Sequence, residues 1–467
     1  MKLIFHIDVN SAFLSWTACG LLEEGGADDS ASCADLTQKN TPDPASDAAV
    51  NAPASQNAAA VNAPATDIRE IASVIGGSEK SRHGIVLAKS TLAKQYGIVT
   101  GEPLFQARRK CPGLVVVPPN YQLYVRKSDQ LIRMLHEYTP LIQQYSIDEA
   151  WMDMTGIQEA QADPMGFATR LKDRIHRELG FTVNIGISVN HLLAKMGSEL
   201  QKPDRVHTLF PEEIPTKMWP LSVRDLLFLG KAFEKKLTEA GIRTIGDMAH
   251  VSESEIQALL GNKAGHQLHQ YALGIDESPV KAKPEEAKGF SVETTFNDDI
   301  VSVEQVLPIL LEQCDVVTTR MRRKGKKCTS VSVTFRTLDF KNKSHQTTLS
   351  NATDMTDEIF RNAKKLFTES WKGEPLRLIG VALTNLTDES FEQLSLFEDN
   401  EKKERHRKLD ATMDEIRQKF GNDKITRASI MNSNSGIARK ARAQMKNELE
   451  ISCGKQAEKG KDNGRNI

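Results

Sequence analysis

A polar, proline-punctuated stretch interrupts this chain early and decides where its cores can lie. Between residues 24 and 66 the sequence is dominated by Ala, Asp, Asn, Ser and Pro, and the heptapeptide AAVNAPA occurs twice, at 48–54 and 59–65. Two short copies are too few for a stacked repeat fold. Such a composition cannot bury enough apolar surface to offset the entropy of ordering, so a disordered surface insertion is expected there. The fold must be built from the flanks. Before the break, residues 1–16 read as a strand. Leu3, Phe5, Ile7 and Val9 share one face, and His6 and Asp8 share the other.

Order resumes at Ile68. GIVLAKS, YSIDEAWMDMT and TVNIGISV read as strands. LYVRKSDQLIRMLHEY carries Leu123, Leu131 and Leu135 at helical spacing, FATRLKDRIHRELG is a helix closed by Gly180, and HLLAKMGSELQK is a helix ended by Pro203. This alternation suggests an α/β core up to about residue 210. Residues 220–275 are helical, with capping-box patterns at Thr244/Asp247 and Ser252/Glu255. KAKPEEAKG (281–289) reads as a linker, 290–385 returns to a mixed strand and helix pattern, and a polar helix and tail follow from about Asn400.

Composition excludes several classes. With 39% hydrophobic and 26% charged residues among 467, the chain cannot be disordered throughout. Lys+Arg (61) against Asp+Glu (62) leaves a net charge of -1, which argues against a simple basic nucleic-acid coat but not against local basic surfaces. No apolar run approaches the roughly 18 residues of a membrane helix. The N-terminus is interrupted by His6, Asp8 and Asn10 and does not read as a signal peptide. The six cysteines include no CxxC pair, so neither a zinc site nor a disulfide framework is expected, and a cytoplasmic location is the default.

The candidate chemistry lies in acids. Asp8 ends the first strand, and Asp148-Glu149 lies inside YSIDEAWMDM. Three carboxylates brought together suit Mg²⁺, which takes one or two carboxylates plus substrate phosphates. Two such ions can serve an in-line phosphoryl displacement. Neighbours on a regular strand point to opposite faces, so Asp148 and Glu149 can share a site only at a hairpin turn or bulge.

HIDVNSAF, SIDEAWMDM and GISVNHLLAKMGSELQKPD occur in that order. Together they resemble the catalytic core of the Y-family (DinB/UmuC-type) translesion DNA polymerases. The resemblance spans nearly the whole chain outside 24–66 and the last residues. It implies a multidomain α+β fold, a right-hand polymerase with an appended α/β little finger. The implied parts are a palm at 1–10 and 120–210, fingers at 11–119 holding the insertion, and a helix-hairpin-helix thumb at 211–280. The 281–289 linker leads to the little finger at 290–390, and 391–467 holds a clamp-binding peptide and tail.

The resemblance also implies roles. Asp8, Asp148 and Glu149 correspond to the catalytic, metal-binding carboxylates, and the Val9 carbonyl to a further ligand, for two Mg²⁺ ions. Phe13 falls at the steric gate that excludes a 2′-OH. Lys202 matches the lysine that holds the incoming triphosphate, a task suited to a point charge. Lys195 matches a more general basic position. AKSTLAKQYG resembles the nucleotide-binding segment of the fingers. It keeps a cation at Lys94 but has Thr91 where Tyr is frequent. His191 stands where Lys is common and receives no role. In the thumb, Phe233 and Leu237 should pack inward. Gly230 would present backbone N–H groups to a DNA phosphate, although Phe228 replaces the first glycine of that hairpin.

Residues 320–343 are strongly basic: Arg320, Arg322, Arg323, Lys324, Lys326, Lys327, Arg336, Lys341 and Lys343 face a single acid, Asp339. By position they suggest a phosphate-tracking surface of the little finger. QLSLF (393–397) resembles the bacterial sliding-clamp-binding pentapeptide, with Gln393, Leu394, Leu396 and Phe397 as contacts. The implied activity is error-prone, template-directed addition of dNTPs to a primer 3′-OH, without proofreading, by a monomer. Its expected partners are primer-template DNA and a sliding clamp, with no membrane association. A catalytically inactive DNA- and clamp-binding adaptor is the alternative.

Overall fold

A computed structural model describes residues 1–25, 67–78, 84–283, 285–388, 400–421 and 424–430. The 24–66 insertion from residue 26 on, the peptide at 393–397 and the tail beyond 430 lie outside the described residues. The chain divides into two compact bodies, with the division between Pro284 and Glu285.

The first body opens with β1 (Ile4–Val9), α1 (Ala12–Gly25), β2 (Ser73–Gly76), β3 (Val86–Lys89), α2 (Thr91–Gln95), α3 (Leu104–Lys110) and β4 (Val115–Val117). It continues with α4 (Tyr121–His136), β5 (Ile142–Gln144), β6 (Glu149–Asp153), α5 (Gln158–Ala162), α6 (Pro164–Leu179), β7 (Val183–Ser188), α7 (His191–Glu199) and β8 (Val206–Thr208). Four helices close it: α8 (Lys231–Glu239), α9 (Ile245–His250), α10 (Glu253–Leu260) and α11 (Asn262–Ala272).

Its main sheet has the order β5-β6-β1-β7-β8. The alternation of strands and helices suggested an α/β core, but within this sheet only β7–β8 pair in parallel among the described strands. β5 and β6 are joined by a tight turn, which forces antiparallel pairing. The two-faced reading of the first strand also changes: all six residues of β1 are buried. Phe5, Ile7 and Val9 pack with Trp16 of α1, Leu131 and Leu135 of α4, and Leu171 and Ile175 of α6. On the opposite face Ile4 packs with Trp151 and with Ala194 of α7. α7 sits so close that a Cβ on Gly186 would lie 1.9 Å from the Ala194 carbonyl oxygen, so β7 needs glycine there.

A smaller sheet, β3-β2-β4, packs with α3 around Val74, Val86 and Leu104. The helices α8 to α11 share a core containing Leu237, Ile245, Met248, Ile256 and Leu268. Both predicted capping boxes form there, at Thr244/Asp247 and Ser252/Glu255.

The second body runs β9 (Gly289–Ile300), α12 (Val303–Arg323), β10 (Lys327–Thr337), β11 (Asn342–Thr353), α13 (Thr356–Ser370), β12 (Leu376–Thr387) and α14 (Asn400–Phe420). Its sheet, β11-β10-β12-β9, is wholly antiparallel. Val331, Val333 and Phe335 of β10 pack with Val317 of α12 and Phe367 of α13. The alternate residues Ser332, Thr334 and Arg336 are only partly covered. The four described cysteines, Cys19, Cys111, Cys314 and Cys328, are buried free thiols.

Candidate active site

Asp8 and Glu149 are brought together by strand register: they are paired residues across β1 and β6. Asp148 lies just before β6, in the β5–β6 turn. Its backbone carbonyl accepts the Val9 N–H at 3.1 Å, and its side chain accepts the Ser146 hydroxyl at 2.6 Å. The turn thus removes the strict alternation of a strand at this point. Even so, the acids whose oxygens lie within 4.8 Å of one another are Asp8, Glu149 and Glu199. Asp148 is absent from that group, and Glu199 was not anticipated. Its signal was present in the sequence: a carboxylate in the last turn of a helix opposes the helix dipole and calls for a compensating partner.

That partner is Lys202. Its ammonium donates to Asp8 Oδ2 at 3.1 Å and to Glu199 Oε1 at 2.8 Å. Lys195 donates to Glu149 Oε1 at 2.6 Å. Burial, with Glu199 and Glu149 beside it, pushes the Asp8 carboxyl up to about 7 against the pull of Lys202. For Lys202, burial would lower the affinity for its proton, but Asp8 and Glu199 outweigh it and the net shift is upward. Behind the acids, His6 is fully buried and held neutral by desolvation and by Lys195 and Lys202, with Nδ1 2.8 Å from the Ser198 hydroxyl oxygen. The donor set suits a hard divalent cation: clustered carboxylate oxygens that already attract two ammonium groups.

Two buried asparagines, also missed, fix this geometry. Asn184 donates to the carbonyls of Ser198 (2.9 Å) and Gln201 (2.7 Å) and accepts from Asn10 Nδ2 (3.0 Å). Asn10 accepts the Asp204 N–H at 2.9 Å. The backbone on both sides of Lys202 is therefore tied to β1 and β7. Ser11, at φ 46°, makes the sharp turn from β1 into α1. Phe13 in the first turn of α1 stacks on Tyr124 of α4, with centroids 4.4 Å apart and planes 8° apart, and meets the Tyr121 ring edge-on at 6.1 Å. One face of the Phe13 ring is thus backed by a fully buried ring. His191 is structural: Nδ1 lies 2.9 Å from the Ser278 carbonyl oxygen, and its own carbonyl accepts from Trp151 Nε1.

Other expected positions are more dispersed. Thr91 and Lys94 lie exposed on α2, capped by Ser90. Lys94 helps to depress the half-buried Lys89, after burial itself, so the two ammonium groups share one neighbourhood. Gly230 precedes α8, and no side chain caps that helix start. Phe228 holds the left-handed conformation, φ 66°, that a glycine would take, with its ring 58% exposed. Leu237 is buried, and Phe233 is partly buried.

The basic stretch does not face a single acid. Arg322 pairs with Asp414 (2.6 Å) and Asp410 (3.4 Å) of α14, and Lys326 with Glu286 and Asp388 (both 2.7 Å). Lys343 pairs with Glu374, and Lys341 with Asp339. Apart from Asp339, these acids lie outside the 320–343 stretch, which hides them from a linear reading. Arg320 and Arg323 are half-buried in the last turn of α12, whereas Lys324 and Lys327 have no carboxylate within ion-pair distance among the described residues.

Comparison with known proteins adds the family. Residues 56–199 match the impB/mucB/samB family, 287–396 its C-terminal domain, and 225–276 the thumb domain described for DNA polymerase-iota. The chain is 44% identical to the DNA polymerase IV of Clostridium acetobutylicum, over 92% of this chain and 98% of that one. It is 37% identical to the DNA polymerase IV of Alkaliphilus oremlandii, over 77% and 93% of the two chains. It is 35% identical to the DNA polymerase IV 2 of Bacillus subtilis, over 77% and 88%. Among solved structures it resembles a Y-family DNA polymerase chimera, at TM-score 0.64 and 18% identity, covering 83% of this chain and all of that one. With relatives this similar along nearly their full length, the chain belongs to the Y family of DNA polymerases, in its DinB-type branch.

Proposed function

We propose that this chain is an error-prone, template-directed DNA polymerase that carries out translesion synthesis, with its active site at Asp8, Glu149 and Lys202. The supporting observation is the pairing of Asp8 with Glu149 across two central strands, with Lys202 and the Phe13 ring beside the same strand end. Asp8, Asp148 and Glu149 would hold Mg²⁺, with the Val9 carbonyl at the end of β1 as a further ligand; the Val9 N–H bonded to the Asp148 carbonyl ties that strand end to the β5–β6 turn. Two such ions, when bound, supply charge neutralisation for in-line attack of a primer 3′-OH on an α-phosphate.

The protein groups do the rest. Lys202, and Lys94 from α2, offer ammonium donors to the triphosphate. Phe13, backed by Tyr124, cannot yield toward α4, so a sugar bearing a 2′-OH would clash with its open face. Primer-template DNA would lie against backbone donors at Gly230 and the cations Lys324 and Lys327. The partly covered Ser332, Thr334 and Arg336 would add hydroxyl and guanidinium contacts. Arg320, Arg322, Arg323 and Lys326 belong with Lys324 and Lys327 to the candidate DNA contacts of the second body, although the acids on Arg322 and Lys326 reduce what those two can contribute. The 1–10 and 120–210 segments serve as palm, 11–119 as fingers, 211–280 as thumb and 290–390 as little finger. We assign residues 393–397 to a sliding clamp, and the protein to the cytoplasm as a monomer. No helix among the described residues is long and apolar enough to cross a membrane.

Primer extension on undamaged and lesion-bearing templates, with Mg²⁺ and dNTPs, tests this reading. Extension past the lesion is expected. A chain that binds the primer-template but adds no nucleotide to either template would contradict it.

A further inference from the structure

We propose that Glu199 is a positioning residue that controls access of the metal to Asp8 by holding Lys202. The proposal rests on the assignment of Asp8 and Glu149 as metal-binding carboxylates.

Three observations carry it. Lys202 bridges Asp8 and Glu199, with the shorter bond going to Glu199. The backbone that carries the bridge is fixed, because Asn184 ties the carbonyls of Ser198 and Gln201, and Asn10 ties the Asp204 N–H. Glu199 itself sits in the last turn of α7, where the helix dipole disfavours a carboxylate, so the site maintains it against a local cost.

The consequence follows from charge. Before any ion is bound, the Lys202 ammonium lies where positive charge is wanted and neutralises Asp8, whose side chain is only 8% exposed. A divalent ion arriving at Asp8 must displace that ammonium. With Glu199 present, Lys202 gives up one of two bonds and remains three residues away in the site. Without Glu199, Asp8 is its only acidic partner, and the ammonium competes fully with the ion. Glu199 thus lowers the cost of exchanging a protein cation for a metal ion, and it keeps Lys202 close to where a triphosphate would arrive.

The test is a titration of the full chain with Mn²⁺, reading free ion by electron paramagnetic resonance. It uses the wild type, Glu199→Gln, Lys202→Met and the double variant. Glu199→Gln should weaken Mn²⁺ binding about 10-fold, in the range of residues that orient metal ligands. In the Lys202→Met background the same change should alter affinity by less than about two-fold, the ordinary limit of additivity. An equal loss in both backgrounds would overturn the proposal, because Glu199 would then act on the ion directly. No loss in either background would overturn it as well. Asp8→Asn separates the underlying reading: Mn²⁺ binding as tight as wild type in that variant would refute the metal assignment itself.

Discussion

Asp8, the proposed metal-binding carboxylate, occupies a costly environment. Its carboxyl is raised because it is buried next to Glu199 and Glu149. An acid raised in the folded state favours folding when protonated. That contribution is complete below the unfolded value of ~3.9 and is lost as pH rises through about 7. The ion-free chain should therefore lose stability across this window, and a divalent ion should restore it. Mn²⁺ affinity should be about 10-fold weaker near pH 6 than near pH 8, since the ion must displace the Asp8 proton; a flat profile would contradict the raised carboxyl. Phe13, whose ring stacks on Tyr124, is the proposed gate for sugar selectivity. Phe13→Ala should raise ribonucleotide incorporation on the order of 10²-fold or more, because it removes a clash equivalent to several kcal/mol. The measurement is the ratio of kcat/KM values for a dNTP and its rNTP.

Strands and helices were legible wherever their pattern was local. Capping boxes, the Gly180 stop and the leucine spacing of α4 all form as the sequence implies. What stayed hidden was tertiary. The buried second face of β1 and the presence of Glu199 in the site depend on α7 lying against β1 and β7, which no periodicity encodes. α14 shows the same limit. Its sequence is polar and suggests a solvated helix, yet Asp410, Met413 and Arg417 are buried along one stripe. Arg417 pairs with Asp315 of α12 at 2.6 Å, and Arg322 and Arg427 hold Asp410. Arg427 also reaches Asp315, at 3.3 Å, so Arg417→Ala removes the shorter of two charged bonds and should cost about 2 kcal/mol of the docking of α14. Faster hydrogen exchange over residues 400–420 would report it. In the thumb, Phe228 occupies a left-handed conformation that costs about 1 kcal/mol or more for a residue with a Cβ. Phe228→Gly should slow hydrogen exchange at the start of α8; unchanged or faster exchange would show that the Phe228 ring contributes more than the backbone conformation costs.

For the molecule as a whole, the near-zero net charge concealed an internal division of labour. Acids gather around Asp8 and between α12 and α14, and Arg322, Lys326, Lys341 and Lys343 of the 320–343 stretch are each committed to a carboxylate. The family was legible from three short motifs because they carry the residues proposed for the metal, the gate and the triphosphate. The DNA interface was less legible, because which cations stay available depends on acids far away in sequence. The central claim is that Asp8 is part of a nucleotidyl-transfer site rather than of a DNA-binding adaptor. The most direct test is single-nucleotide incorporation by wild type and Asp8→Ala, with primer-template affinity measured in parallel by fluorescence anisotropy. Incorporation should fall about 10³-fold or more while DNA affinity stays within about two-fold. Wild-type incorporation by the Asp8→Ala protein would contradict the claim.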